Sequence, residues 1–407
     1  MSFFKQTIRD VPLDGKTVLV RADYNVPLKA DGTIDDDFRI RASLPTLQEL
    51  QRRHCKIVII SHLGRPEGRD KKLSLEPVAE RLAELLDHHV VFVDDCIGDK
   101  AYQAVKRASS SSIILLENLR YYSEEEADDD SFAKKIADAS TASYFVQDGF
   151  GVVHRAHAST HAITLILPAV AGLLIEKEYT TITSVMRAPT RPLVAVMGGA
   201  KVSDKIKVIK AFVGVADTII ISGAMANTFL AYRGLDMAKS KVEPDQVTIL
   251  DDIYAAVEKK VGESEIDNFL VLPVDVAVSS EYANNERREV RVDNLSETDM
   301  ALDVGSRTIE QTDAIVSAAK TVVWNGTLGV SEFSNFAHGS ARLALTLATH
   351  PEIESLIGGG DTVDFVLKWD ARKGDSFGHI SSGGGASLEL MAGDKLPGVE
   401  SLLDAKR

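Results

Sequence analysis

Thr17-Val18-Leu19-Val20-Arg21-Ala22-Asp23-Tyr24-Asn25 is an apolar run that ends abruptly in charge. The arrangement recurs. Lys56-Ile57-Val58-Ile59-Ile60 runs into Ser61-His62-Leu63-Gly64-Arg65-Pro66, and Ile113-Ile114-Leu115-Leu116 into Glu117-Asn118-Leu119-Arg120. Tyr144-Phe145-Val146 runs into Asp148 and then His154-Arg155-Ala156-His157. These runs read as four strands, with amphipathic stretches of helical spacing between them at residues 43–52, 74–86 and 130–139. Strand then helix, repeated, predicts parallel sheets joined by right-handed crossovers. Ligands of open α/β sheets bind outside the carboxyl ends of the strands. Cations collected on that edge predict an anionic small molecule, whose charge offsets their mutual repulsion.

The rest of the composition narrows the class. A chain of 407 residues, 44% hydrophobic, is long enough for about two to three packed domains. Its formal charge of -14 argues against nucleic acid as a partner. The acidic run Glu124-Glu125-Glu126-Ala127-Asp128-Asp129-Asp130 reads as solvated surface. Two cysteines, Cys55 and Cys96, form no CxxC pair and read as small buried residues of a reduced, cytoplasmic protein. Met1-Ser2-Phe3-Phe4-Lys5 carries no signal core. The longest uncharged apolar stretch contains Pro168 and is shorter than the ~18 residues of a membrane helix, so no membrane partner is expected.

The strand–helix pattern pauses near residues 171–191, where one long helix over 173–186 meets Ala188-Pro189-Thr190-Arg191-Pro192. A second series follows, with strands at residues 193–196, 218–221, 269–272 and 321–324, then at Ile357 and Ile380-Ser381. The polar stretch 284–300 reads as a surface strand pair or excursion. Here the strand ends are glycine-rich: Gly198-Gly199-Ala200-Lys201, Ser222-Gly223, Asn325-Gly326-Thr327-Leu328-Gly329, Gly358-Gly359-Gly360-Asp361-Thr362 and Gly383-Gly384-Gly385. Each run is expected to open a helix. Glycine lets backbone N–H groups approach phosphate, and a helix N-terminus adds partial positive charge, so the set predicts a polyphosphate site. Lys201 and Lys205, four apart, are expected on one helical face toward phosphate. Asp361 is placed to hold Mg²⁺ on a nucleotide, or to serve as a first-turn acid. No GxxxxGK[ST], GxGxxG or protein-kinase catalytic loop is present. His62, His154 and His157 have no third partner at metal-ligand spacing and read as anion contacts or structural groups.

These segments, with Arg39-Ile40-Arg41-Ala42, Pro168-Ala169-Val170-Ala171-Gly172 and Trp324-Asn325-Gly326, resemble the phosphoglycerate kinase family over essentially the whole chain. The resemblance implies an α/β fold of two Rossmann-like lobes, each a parallel sheet flanked by helices, joined by a long interdomain helix and hinge. The expected division is 1–172 for phosphoglycerate, 173–190 as the linking helix, 191–389 for nucleotide, and 390–407 packing back on the first lobe. The implied reaction is reversible transfer from 1,3-bisphosphoglycerate to ADP, giving 3-phosphoglycerate and ATP, with Mg²⁺, in a cytoplasmic monomer. By resemblance, Asp23 and Asn25 contact the carboxylate and hydroxyl end of the substrate, and His62, Arg65, Arg120 and Arg155 its 3-phosphate. Arg39 reaches the transferring phosphoryl group and Lys201 stabilises it, with Gly360 and Gly384 also counted as catalytic. Lys205, Gly359, Gly360, Asp361 and Thr362 hold the nucleotide phosphates, Asp361 the metal, and Glu332 lies near the ribose.

The chemistry is coherent. A carboxylate acceptor is already nucleophilic at neutral pH and needs no general base. Catalysis then consists of positioning and charge neutralisation, and closure over a reactive acyl phosphate excludes water. The chain departs from the family pattern at several places, among them Thr327 for proline and Ser331 for phenylalanine. Two rival readings are a nicotinamide dehydrogenase, which lacks its GxGxxG, and a catalytically degenerate phospho-sugar or nucleotide binding protein, against which Arg39, Lys201 and Asp361 all stand.

Overall fold

The computed structural model describes residues 3–406. Two compact units divide the chain, residues 1–180 with 394–407 and residues 181–393. In the first unit, β1 (Thr17–Arg21), β2 (Lys56–Ile60), β3 (Val90–Val93), β4 (Ile113–Leu116), β5 (Tyr144–Gln147) and β6 (Ala169–Ala171) form one parallel sheet. Its order is β3-β4-β2-β1-β5-β6. Helices α1 (Phe38–Arg52), α2 (Glu76–Leu86), α3 (Gly98–Arg107) and α4 (Asp130–Ser140) connect the strands. Apart from Thr17, Arg21 and Lys56 at their ends, β1, β2 and β4 are apolar because helices cover both faces of a parallel sheet. Val18, Val20, Ile57 and Ile59 pack with Leu47 and Leu50 of α1 and Val78 and Leu82 of α2 in one core. α4 starts where the Asp129 side chain accepts the Phe132 N–H at 2.7 Å, and ends at Thr141 in the left-handed region.

α5 (Leu173–Arg187) contains the boundary between the units. The second unit has β7 (Leu193–Met197), β8 (Thr218–Ile221), β9 (Leu270–Val271), β10 (Asp275–Ser279), β11 (Arg288–Arg291), β12 (Met300–Val304), β13 (Thr321–Asn325), β14 (Glu354–Gly358) and β15 (His379–Ile380). Six of them make a parallel sheet of order β15-β14-β13-β7-β8-β9, and β11-β10-β12 make a small antiparallel sheet. Its helices are α6 (Ile206–Val215), α7 (Gly223–Tyr232), α8 (Val247–Val261), α9 (Ile266–Phe269), α10 (Ser306–Ser317), α11 (His338–Thr349), α12 (Gly360–Trp369) and α13 (Gly385–Met391). Trp324, fully buried, anchors this core with Val196, Val322 and Ile357. After α13, the segment 394–406, with α14 (Pro397–Glu400), belongs to the first unit. The Lys5 ammonium donates to the carbonyls of Glu400 and Leu402 at 2.7 and 2.9 Å, and the Gly398 N–H to Val153 O at 2.9 Å.

Several local expectations are corrected. α1 begins at Phe38, five residues before the apolar spacing announces it, and carries Pro45 inside. The reason is that its first turn is held by charge: Asp37 accepts from Arg41 and from Arg81 of α2. β3, flanked by polar His88 and His89, adds a fifth strand to the four read before residue 160. The stretch 284–300 does carry the surface strand β11 and the first residue of β12, but the partner both pair with, β10, received no strand reading. The run at 326–329 opens no helix; it is a turn, and α11 starts only at His338.

In each parallel sheet the direction of strand addition reverses once. The reversal lies between β1 and β5 in the first unit and between β13 and β7 in the second. A crevice for a ligand forms at such a point.

Candidate active site

The first unit gathers its cations at the carboxyl edge of β1, β2 and β4. Arg39, on the first turn of α1, donates to Asp23 Oδ2 at 3.0 Å and to Asn25 O at 3.1 Å. The Asn25 side-chain carbonyl accepts the Gly64 N–H at 2.8 Å, which ties the β1 loop to the β2 loop. Asn118 does the same for the β4 loop. Its Nδ2 donates to the carbonyls of Leu63 and Leu73, and its Oδ1 accepts the Arg120 N–H. Arg120 donates to Gly64 O at 2.8 Å and pairs with Glu126 at 3.1 Å. Burial lowers its affinity for the proton, with Glu126 pulling the other way and the nearby charges of Arg155 and Arg65 adding to the lowering. Arg65 and Arg155 are exposed. His62 is buried among these groups. Burial, then the charges of Arg21, Arg120 and Arg39, hold it well below the ordinary histidine range, so the imidazole is neutral. The arrangement is a cationic surface with a neutral ring at its floor, suited to an anion rather than to a proton acceptor.

Two residues of this site escaped the reading of the sequence. Arg21 was visible as a charge at a strand end but received no role; it is fully buried and contacts His62. Glu125 was read as solvated surface within an acidic run, yet it is 0% exposed. Asp128 of the same run receives the Ala162 N–H and pairs with His161. Nothing local marks which acid of such a run is buried, because the partners are Arg21 and Ser159, far away in sequence.

In the second unit, the glycine turns after β7, β8 and β13 pack backbone on backbone. A Cβ at Gly198 would lie 2.2 Å from Thr327 O, and one at Gly223 2.7 Å from Gly199 N. Lys205 spans the β13/β7 reversal, donating to Gly198 O at 2.7 Å and Asn325 O at 2.9 Å. Burial pushes its ammonium down to about 8, against the charges of Asp361 and Asp204. Lys201 and Lys205 do not share a helical face as expected. Both precede α6, Lys201 exposed in a loop that Glu243 fastens by accepting from the Val202 and Ser203 amides. Gly359, with φ +90°, caps α12, leaving the amides of Gly360, Asp361 and Thr362 at a helix N-terminus. The Thr362 hydroxyl accepts the Gly326 N–H at 2.7 Å, so this side chain braces the β13 turn. The Asn325 amide is buried beside Gly359, and its Nδ2 has no hydrogen-bond partner among the described residues. Glu332 is exposed near Tyr282, which stands edge-on to Phe333 at 5.1 Å. Gly384 follows the edge strand β15, away from the reversal, and opens the seven-residue α13.

The sequence pattern of the family described as "Phosphoglycerate kinase" matches residues 8–394. The chain belongs to the phosphoglycerate kinase family. Among its relatives, the phosphoglycerate kinases of Prochlorococcus marinus (strain MIT 9312) and Pelotomaculum thermopropionicum are each 44% identical to it. The alignments cover 97% of both chains for the first, and 98% of this chain and 99% of the relative for the second. The solved phosphoglycerate kinases of Coxiella burnetii and Pyrococcus horikoshii OT3 superpose with TM-scores of 0.82 and 0.84, at 33% and 32% identity, over 98% of both chains. Membership assigns the enzyme class, a phosphoryl-transferring kinase of glycolysis. Among the described residues, no helix is long and apolar enough to cross a membrane.

Proposed function

We propose that this phosphoglycerate kinase family member binds 3-phosphoglycerate on the first unit and MgADP or MgATP on the second. The observation that carries the reading is the chemistry of the two strand edges. One offers Arg39, Arg65, Arg120 and Arg155 around a neutral His62. The other offers glycine amides, Lys205 and the buried Asn325 amide, whose Nδ2 has no hydrogen-bond partner among the described residues. Asp23 and Asn25 receive the hydroxyl and carboxylate end of the substrate, and His62, Arg65, Arg120 and Arg155 its phosphate. Arg39 and Lys201 neutralise the phosphoryl group in transfer, assisted by Gly360 and Gly384. Lys205 and the Gly359–Thr362 turn hold the nucleotide phosphates, and Glu332 reaches the ribose. In chain terms, 1–172 and 390–407 serve the acceptor, 191–389 the nucleotide, and 173–190 links them in a cytoplasmic monomer.

Among the described residues no three potential ligand side chains cluster. Asp361, exposed on the first turn of α12, offers one carboxylate, and nucleotide phosphate oxygens complete the oxygen-rich set that Mg²⁺ takes. Bound there, the ion neutralises phosphate charge. The protein's own part is to orient both ligands and to supply cations where charge develops.

Steady-state kinetics of Arg120→Ala tests the assignment of sides. A raised KM for 3-phosphoglycerate with the ATP KM unmoved is expected. Equal changes in both would refute it.

A further inference from the structure

Arg21 ends β1 and is 1% exposed, whereas Arg65 and Arg155 of the same edge are exposed. Its Nη1 donates to Ala22 O at 2.5 Å and its Nε to Ser159 Oγ at 2.7 Å. Ser159 in turn donates twice to Glu125, from Oγ to Oε1 at 2.5 Å and from its backbone N–H to Oε2 at 3.0 Å. Glu125 Oε1 also lies 3.7 Å from Arg21 Nη2. Burial pushes the Glu125 carboxyl up, and Arg21 and the two Ser159 donors pull it back. A guanidinium stays charged in proteins, so Arg21 requires a buried anion, and Glu125 is it. His157 supplies no competing charge. Its Nδ1 stands 3.9 Å from Glu125 without a hydrogen bond, and burial pushes the ring down to about 4.

The remaining contact of Arg21 decides a chemical state. Nη2 lies 3.2 Å from His62 Nδ1. Guanidinium nitrogens donate and never accept, so His62 Nδ1 is the acceptor and carries no proton. The proton of the neutral ring is then on Nε2, which has no hydrogen-bond partner among the described residues. Arg21 donates both ways, to Ser159 and through it toward Glu125 on one side and to His62 on the other, because a guanidinium only donates and the carboxylate holding it only accepts. The second charge near Nδ1, Asp23 Oδ1 at 4.0 Å, is beyond hydrogen-bond reach and leaves the direction unchanged.

We propose that Glu125, through Ser159 and Arg21, fixes His62 in its Nε2–H form, so that a neutral ring presents one N–H to the anionic substrate. Glu125, Ser159 and Arg21 are thus positioning residues. The proposal rests on His62 facing phosphoglycerate in the reading above. A neutral donor at the floor of the site binds an anion without adding one more buried charge to the neighbouring guanidiniums of Arg21, Arg39 and Arg120. Removing Ser159 Oγ takes away the acceptor of Arg21 Nε; the guanidinium then turns to Glu125 directly and releases Nδ1.

The test uses full-length protein labelled with ¹⁵N-histidine and free of substrate. Long-range ¹H–¹⁵N correlation distinguishes the two tautomers, and the His62→Gln spectrum identifies the His62 signals. The wild type is expected to show Nε2–H alone. Ser159→Ala and Glu125→Gln are expected to show a mixture of tautomers, with the KM for 3-phosphoglycerate raised about tenfold, as for loss of one charge-assisted hydrogen bond, and kcat and ATP KM unmoved. Ser159→Ala keeps both buried charges and decides the matter if Glu125→Gln does not fold. Nδ1–H in the wild type overturns the proposal. So does a folded Ser159→Ala protein with an unchanged His62 signal, even if its KM rises, since the residues then act through shape alone. A wild type that does not turn over phosphoglycerate refutes the functional reading instead, and the spectrum still decides the relay.

Discussion

If Lys205 meets the nucleotide phosphates as proposed, it links nucleotide binding to protons in a measurable way. Its ammonium is held by two carbonyls and pushed down to about 8 by burial. The sign follows from the direction. A lysine depressed in the folded, ligand-free protein is short of counter-charge, and a polyphosphate supplies it, returning the pKa toward 10.5. Binding therefore takes up protons wherever the free protein has lost them. At pH 8 about half the free molecules lack the proton, so MgADP binding takes up about 0.5 proton; at pH 7 the uptake falls to about 0.1. Above pH 8 the same linkage weakens binding about tenfold per pH unit until the lysine of the complex titrates. The nucleotide does not confuse the count, because a terminal phosphate titrates near pH 6 and is ionised at pH 8. Isothermal calorimetry at pH 8 in two buffers of different ionisation enthalpy measures the uptake directly. Lys205→Met is expected to abolish it and to weaken MgADP binding about 10- to 100-fold, the loss of a hydrogen bond to a charged group. Equal heats in both buffers for the wild type, or the same buffer dependence in Lys205→Met, would refute the assignment of this lysine to the phosphates.

Asp148 gives a prediction for stability. It is fully buried, accepts from Thr46 Oγ1 at 2.9 Å and from the Leu174 N–H at the start of α5 at 3.0 Å, and its second oxygen has no hydrogen-bond partner among the described residues. Burial pushes its carboxyl up to about 7, so the unfolded chain releases this proton first and stability is lost as pH rises from about 4 to 7, by roughly 4 kcal/mol. Asp148→Asn is expected to flatten urea-unfolding free energy against pH in that range; parallel slopes for the two proteins would count against it. Gly198→Ala places a Cβ against the Thr327 carbonyl and is expected to cost about 1–3 kcal/mol of stability by forced backbone movement, and to weaken nucleotide binding with it. Thermal unfolding identical to wild type would show that the turn is loose. Arg39→Ala is expected to lower kcat by about 2.7–4 kcal/mol of transition-state stabilisation, and an unchanged kcat in a steady-state assay would remove Arg39 from the transferring group.

The parallel sheets were legible because strands such as Lys56–Ile60 and Thr321–Asn325 are apolar in their interiors and run into charge or glycine. The candidate edge was legible for the same reason, since residues after a strand collect where ligands of such sheets bind. What the sequence hid was set by partners distant along the chain. The start of α1 depends on Asp37 meeting Arg81, 44 residues away. Lys205 leaves the helical face expected of it because its ammonium is held by Asn325 O, 120 residues away. Glu125 looks no different from Glu124, and only the β1 and Ser159 contacts select it for burial. Spacing within a segment records which face is apolar, but it does not record which polar residue a remote element will enclose.

The central claim is tested most directly by mixing purified protein with ATP, Mg²⁺ and 3-phosphoglycerate and following 1,3-bisphosphoglycerate through a coupled reaction that consumes NADH. Turnover that requires all three components is the predicted result. A folded protein that binds the ligands in calorimetry but gives no turnover would contradict the account and favour a binding protein on the same fold.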